Sequence, residues 1–327
     1  MRKNVAIKSP LDTEKVNILI IGGLGYLGGR LKDKLYSLDH QIFILTRQFN
    51  KNLSTKGAQI ISYNWSDYDK FLEICNDIDI IIYSAGPNSY ESEKNYNKSV
   101  NYIKKTTSFI IRLLKEKKNK RLIYFSTIHV YSKNLKGVIR ENNDTLNNHP
   151  YALTKLIAEK MILESINKYE LKINILRLSN AVGAPSNKDV NCWHLVANDF
   201  AKQALQNSSI KINAIKNNIR DFFTINYLCD LIDYLIKNPD YGCNIMNIGS
   251  GESKSILSLA NLLRERAFKL FKIEVEIIEN FLENNNQEDL IYTSNCKFFE
   301  KFNKKDNFLT EIDNLLLFCR KNFNKQY

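Results

Sequence analysis

The stretch Val16-Asn17-Ile18-Leu19-Ile20-Ile21 runs straight into Gly22-Gly23-Leu24-Gly25-Tyr26-Leu27-Gly28, after which Leu31, Leu35 and Leu38 recur at helical spacing. A nearly continuous apolar run is what a parallel strand buried on both faces requires. Glycines let the backbone turn sharply and approach a ligand's phosphates, and the helix that opens behind them directs its free N–H groups at the same anions. Gln41-Ile42-Phe43-Ile44-Leu45 reads as the next strand. Strand, turn, helix and strand together take about 30 residues, the length of a crossover between parallel strands. A glycine string alone is a weak signal, so it is these flanks that make Gly22, Gly25, Tyr26, Leu27 and Gly28 candidate dinucleotide contacts.

In such a unit an acidic side chain about 20 residues beyond the glycines accepts hydrogen bonds from the adenosine ribose, which suits NAD and repels the extra phosphate of NADP. Thr46-Arg47 stands there instead. A guanidinium offers a phosphate two parallel hydrogen bonds, so Arg47 points to NADP, with NAD as the alternative.

The alternation continues. Ala58 to Tyr63 and Ile78 to Tyr83 read as strands, Asn95 to Lys118 as a helix, Arg121 to Phe125 as a strand, Tyr151 to Tyr169 as a helix and Lys172 to Leu178 as a strand. This is the pattern of an α/β fold with a doubly wound parallel sheet, an NAD(P)-binding Rossmann fold. Residues 15–180 are assigned to it, with a later return around 219–237. Beyond Asn180 the order loosens into shorter elements, read as a smaller mixed α/β substrate domain over 181–327, and residues 1–14 are read as an N-terminal extension. A last amphipathic helix carries Leu309, Ile312, Leu315, Leu316 and Cys319.

Composition narrows the classes of partner. The net charge of +12 arises from scattered lysines without an arginine-rich or aromatic-basic motif, so nucleic acid is not expected and an anionic small molecule is. No apolar run approaches the roughly 20 residues that span a bilayer, and the first fifteen lack a signal's apolar stretch, so a cytoplasmic protein with no membrane contact is expected. The six cysteines, at 75, 192, 229, 243, 296 and 319, show no paired short spacing, and all are expected to be reduced and to hold no metal.

Ligands of doubly wound sheets lie at the carboxyl ends of the strands, which makes Ser126 and Thr127 candidates. Tyr151 and Lys155 are four residues apart and face the same way on a helix that packs beside that strand. A neighbouring ammonium favours the phenolate, so Lys155 is expected to lower the pKa of Tyr151, which would exchange a proton with a sugar hydroxyl or carbonyl during hydride transfer. Thr127 would hold the reacting oxygen.

These residues, with Val130-Tyr131, resemble the extended short-chain dehydrogenase/reductase family, the nucleotide-sugar epimerases, dehydratases and reductases. Leu176-Arg177-Leu178-Ser179-Asn180, Arg220-Asp221-Phe222 and Asn247-Ile248-Gly249-Ser250-Gly251-Glu252 resemble further segments of that family, in order along the chain. The resemblance implies that Asn64 and Trp65 lie beside the adenine, Ala85 and Gly86 beneath the cofactor, and Asn101 on a helix behind the catalytic group. It also implies that Asn180 and Arg220 bind the substrate's diphosphate and nucleotide, and that two copies pair through helices flanking the catalytic one.

Departures from the family pattern bear on the reaction. In the dehydratases an aspartate and a glutamate follow the threonine, whereas Ile128 and His129 stand here, which disfavours elimination and leaves His129 as a candidate substrate contact. The family's tyrosine-glycine-proline is altered to Val182-Gly183-Ala184-Pro185. Cys192 and His194 are a conceivable acid/base pair. The reading is an NAD(P)-dependent oxidoreductase of a nucleoside-diphosphate sugar, reducing a 4-keto group with NADPH in surface polysaccharide or glycoconjugate biosynthesis. A 4-epimerase with bound NAD is the close alternative, and a non-catalytic dinucleotide-sensing regulator is the alternative of another class.

Overall fold

The computed structural model describes residues 15–47, 57–216, 218–239, 243–284 and 289–323. The expected N-terminal extension, residues 1–14, lies outside them. The first half alternates as expected: β1 (Asn17–Ile21), α1 (Tyr26–Ser37), β2 (Gln41–Thr46), β3 (Gln59–Ser62), α2 (Tyr68–Ile74), β4 (Ile80–Tyr83), α3 (Ser89–Lys94) and α4 (Tyr96–Glu116). Next come β5 (Arg121–Thr127), a short 3-10 turn, β6 (Gly137–Ile139), α5 (Pro150–Tyr169), β7 (Ile173–Leu178) and β8 (Asn180–Val182). The second half holds α6 (Val196–Asn207), β9 (Ser209–Lys216), β10 (Ile219–Thr224), α7 (Ile225–Lys237), β11 (Ile245–Ile248) and β12 (Ser253–Ser255). The chain then runs through α8 (Ile256–Phe271), β13 (Glu276–Asn284), β14 (Leu290–Tyr292), α9 (Phe298–Lys301) and α10 (Phe308–Phe323).

Among the described residues, seven parallel strands form the main sheet in the order β11-β7-β5-β4-β1-β2-β3. Alternation along β1 shows why it is buried on both sides: Ile18 and Ile20 pack with Leu31 and Leu35 of α1 and with α7, whereas Leu19 and Ile21 pack with Phe71 of α2, α4 and α5. Strand order reverses between β1 and β4, which opens a crevice above their carboxyl ends. The return to the sheet is longer than 219–237, because β11 adds the edge strand beside β7.

The remaining second-half elements form their own core, in which α6, α8 and α10 enclose Phe200, Ala204, Leu259, Leu263, Ile312 and Leu316. They are better formed than the sequence pattern shows. Strand β9 pairs with β13 and β6 with β14, partners too distant in sequence for periodicity to reveal. The same long-range packing corrects the expectation for the cysteines: Cys243 and Cys296, 53 residues apart, are joined as a disulfide. Cys75, Cys192, Cys229 and Cys319 are free and buried.

Candidate active site

At the end of β1 the backbone enters a turn that only glycines fit. Gly22 has φ +93°, and a Cβ there would lie 2.8 Å from the Ala85 nitrogen. A Cβ on Gly28 would lie 2.3 Å from the Gly22 carbonyl oxygen. Gly25 begins α1 without a side-chain cap, which leaves the first N–H groups of the helix for an anion. This cradle fits a dinucleotide's pyrophosphate. Tyr26 lines the cleft, but its hydroxyl is 2.9 Å from the Gly183 carbonyl oxygen, which it donates to, and 3.1 Å from Asn198 Oδ1. It therefore ties α1 to the second half of the chain, and Leu27 lines the cleft beside it.

Arg47 closes β2 with its guanidinium 4.8 Å above the ring of Tyr102. Tyr102 is in turn hydrogen-bonded to Trp65. Trp65 is buried with Tyr63, Phe71 and Phe109, so it supports this corner from the core rather than through an open face. Asn64 is exposed, and its Oδ1 accepts hydrogen bonds from the backbone N–H and the hydroxyl of Ser66.

Asn101 is not behind the catalytic group. It is exposed on α4, whose inward face carries Ser99, Ile103, Thr106 and Thr107, and two residues' rotation separates it from either side of that face. Ile103 occupies the position near Gly86, where an added Cβ would lie 3.7 Å from Ile103 and 3.4 Å from the Lys155 ammonium. Thr106 is one of the polar groups α4 turns inward, 2.5 Å from the hydroxyl of Tyr83.

The chemistry-bearing residues meet in a cleft of about 700 Å³. Thr127 ends β5 and caps the following turn, accepting a 3.3 Å hydrogen bond from the His129 N–H. Pro150 opens α5, placing Tyr151 in its first turn and Lys155 one turn on. Tyr151 is hydrogen-bonded to Thr127. Lys155 donates 2.9 Å to the Phe125 carbonyl, with its Nζ 6.0 Å from the centre of the Tyr151 ring. Ser126 also lines the cleft, and its buried hydroxyl has no partner among the described residues.

Charge in this cleft follows from burial. Burial raises the Tyr151 phenol above its ordinary value, against a smaller lowering by the Thr127 hydrogen bond. The expected lowering by Lys155 does not govern the phenol, which is set by burial and by the Thr127 hydrogen bond. Burial brings the Lys155 ammonium down to about 8, with Glu159 opposing. His129 is exposed at the cleft surface, and its imidazole is shifted down from its ordinary value by desolvation against the cleft wall and then by Arg220 and His149, so it is neutral near pH 7. Its ring centre is 6.5 Å from that of Tyr151.

Asn180 and Arg220 line the same cleft on β8 and β10. Asn180 donates 2.8 Å to the Asp221 carbonyl. Arg220 has no carboxylate partner among the described residues, and burial alone lowers its guanidinium. Cys192 and His194 are separated: His194 lines the cleft, whereas Cys192 is buried under Asn198, which donates to its sulfur, and burial raises the thiol to about 12. A shared acid/base role for the pair is thereby excluded by geometry.

Sequence reasoning missed the residues that brace these motifs. The Asp221 carboxylate accepts hydrogen bonds from the Ser179 hydroxyl and from the Ser250 and Gly251 backbone N–H groups, which joins three of the segments. Tyr131 donates 2.6 Å to Asn247 Oδ1, and Arg177 holds the buried Glu159 of α5. His149 was also missed. It caps α5, accepting 3.2 Å from the Tyr151 N–H, while its other ring nitrogen is 2.8 Å from Glu93. Apart from the His149 cap on Tyr151, each lies well away in sequence from its partner, so only the paired motifs, not the braces, carry a local signal.

A family model described as the NAD dependent epimerase/dehydratase family matches residues 18–249. A putative UDP-glucose 4-epimerase of Methanocaldococcus jannaschii is 26% identical over 254 residues, covering 76% of this chain and 81% of the relative. A dTDP-D-glucose 4,6-dehydratase of Dictyostelium discoideum is 23% identical over 74% of this chain, which spans only 60% of that longer protein. The crystal structure of the UDP-glucose 4-epimerase of Thermotoga maritima with UDP-glucose shares the fold, with a TM-score of 0.79 and 18% identity over 93% of this chain and 99% of the other.

Proposed function

The chain belongs to the NAD-dependent epimerase/dehydratase family, and from that membership we propose that it reduces the 4-keto group of a nucleoside-diphosphate sugar with NADPH. The observation that carries this reading is Arg47, a guanidinium set on the Tyr102 ring at the end of β2, where the adenosine ribose would lie. An arginine there favours a 2′-phosphate, and NADPH is a reductant consumed with each turnover. The glycine turn and the open start of α1 would hold its pyrophosphate.

Bound NADPH would supply the hydride. Thr127 and Tyr151 would receive the carbonyl oxygen between them, and Tyr151 would deliver the proton as the oxygen gains charge. The burial that raises its phenol keeps the proton in place, which suits an acid working on a carbonyl better than a base working on a hydroxyl. Lys155, charged below about pH 8, would then stabilise the phenolate left behind. Arg220 and Asn180 would bind the diphosphate, and neutral His129 would contact the sugar. Ile128, buried at the first dehydratase acid position, leaves no acid there for elimination.

A 4-epimerase is the second reading, favoured by the names of the relatives and by a triad that serves either reaction. The test is to incubate the purified protein with a panel of 4-keto and 4-hydroxy sugar nucleotides and follow nicotinamide absorbance. A reductase oxidises NADPH in proportion to product. Interconversion of sugar isomers with no change in added cofactor overturns the reductase reading. Arg47→Ala should weaken NADPH binding roughly 10-fold or more and leave NADH binding unchanged. An equal effect on both cofactors removes the argument from Arg47.

A further inference from the structure

Lys133, Lys155, Lys211 and Arg220 line the cleft, and among its lining residues the lone carboxylate is Asp199. A carboxylate facing a site for a diphosphate repels that ligand, so its presence needs a reason elsewhere on the ligand. Asp199 is held firmly. Its Oδ2 accepts 2.7 Å from the Gln203 side-chain amide, and Gln203 Oε1 accepts 2.9 Å from the backbone N–H of Lys211. Gln203 is thereby committed at both ends, while Asp199 Oδ1 has no partner among the described residues.

Helix α6 presents Val196, Asp199 and Gln203 to the cleft on successive turns of one face. At 1.5 Å of rise per residue, Asp199 lies roughly 5 Å and Gln203 roughly 11 Å beyond the start of the helix. Leu195 begins α6 with no side-chain cap, and the half-buried guanidinium of Arg220, with no acid beside it among the described residues, lines the same cleft. A diphosphate bound there with its nucleoside running along α6 would set the ribose one turn along at Asp199, and the base a further turn along beside Gln203 and the backbone of β9.

We propose that Asp199 accepts the hydroxyls of the substrate's ribose and so makes this a site for a ribonucleoside diphosphate sugar rather than a 2′-deoxyribonucleoside one; this rests on the nucleotide-sugar reading above. A carboxylate suits a vicinal diol because its two oxygens accept from neighbouring hydroxyls, and one of them is free here. Removing the 2′-hydroxyl takes away one of the two donors and leaves only the 3′-hydroxyl to offset the carboxylate's repulsion of the diphosphate.

The test compares UDP with 2′-deoxy-UDP by titration calorimetry on the wild-type chain, Asp199→Ala and Asp199→Asn. The two ligands share base and diphosphate, so their ratio isolates the ribose. Wild type should prefer UDP by roughly 10- to 100-fold, the worth of a hydrogen bond to a charged group. The ratio should fall towards one in Asp199→Ala through weaker UDP binding, and part-way in Asp199→Asn. NADP(H) binding, at the other end of the cleft, reports that each variant is folded. Equal affinities in wild type, or a ratio that survives Asp199→Ala, overturn the role of Asp199 and leave the nucleotide-sugar reading standing. Failure of both ligands to bind the folded wild-type chain overturns that reading and this inference together.

Discussion

Lys155 serves two opposed demands, a buried position beneath the reacting centre and a positive charge once there. Burial lowers its ammonium to about 8, and the ordinary lysine value is near 10.4. Between those values the unfolded chain holds a proton that the folded chain has released, so this group makes stability rise with pH across that window. Lys155→Met carries no such proton. Its stability relative to wild type, read from urea midpoints, should therefore fall between pH 7 and pH 9.5 by on the order of 2 kcal/mol. A constant difference would mean that the ammonium is not desolvated. Tyr151→Phe should lower turnover by roughly 100-fold or more while cofactor binding is kept, since it removes only the transferable proton. Thr127, Tyr151 and Lys155 were legible because each sits at a motif position. His149 and Asp199 were not, because a histidine cap and a helical aspartate gain meaning only when Glu93 and Gln203 are seen beside them.

At the scale of elements, the second half of the chain is fastened to α1 through one buried ion pair. Arg30 of α1 donates 2.8 Å to Glu311 of α10 and 2.8 Å to the Ala184 carbonyl. Glu311 is fully buried, and Gly183 is kept bare, since a Cβ there would lie 2.4 Å from the Glu311 carboxylate. The glycine of the turn Val182-Gly183-Ala184-Pro185, at φ +151°, makes room for the latch. Arg30→Met leaves a buried carboxylate without its partner and should cost about 3–5 kcal/mol. Lys34→Met, which breaks the more exposed pair with Asp230, should cost about 0–1 kcal/mol. Urea unfolding of the two variants checks the contrast, and equal losses would deny the latch. The β–α–β units of the first half could be read from sequence because each strand's partner arrives by one crossover. The elements that meet Glu311 come from opposite ends of the chain, and three-residue strands such as β8 and β12 are too short to show a period.

At the scale of the whole molecule, the net charge of +12 is uneven. The outer face of α4 exposes Lys98, Lys104, Lys105, Arg112 and Lys115. Several of these cations lie on aromatic rings, Arg112 at 3.7 Å over Tyr68 and Lys115 at 4.1 Å over Tyr169, which fixes them in a stripe. The family resemblance implies pairing of two copies through the helices that flank the catalytic one, and α4 packs against α5. A two-fold axis there sets the same patch against itself, so two basic stripes would face each other. Like charges held apart by about a Debye length repel strongly at ~0.01 M salt, where that length is about 30 Å, and weakly at ~1 M, where it is about 3 Å. Association through α4 should therefore tighten as salt rises. Sedimentation equilibrium across that range reads it directly, and a dimer that loosens with salt would place its axis on another face. Mixed Lys104→Glu and wild-type chains should pair more tightly than either alone at low salt, because the substitution turns one repulsion across the axis into an attraction.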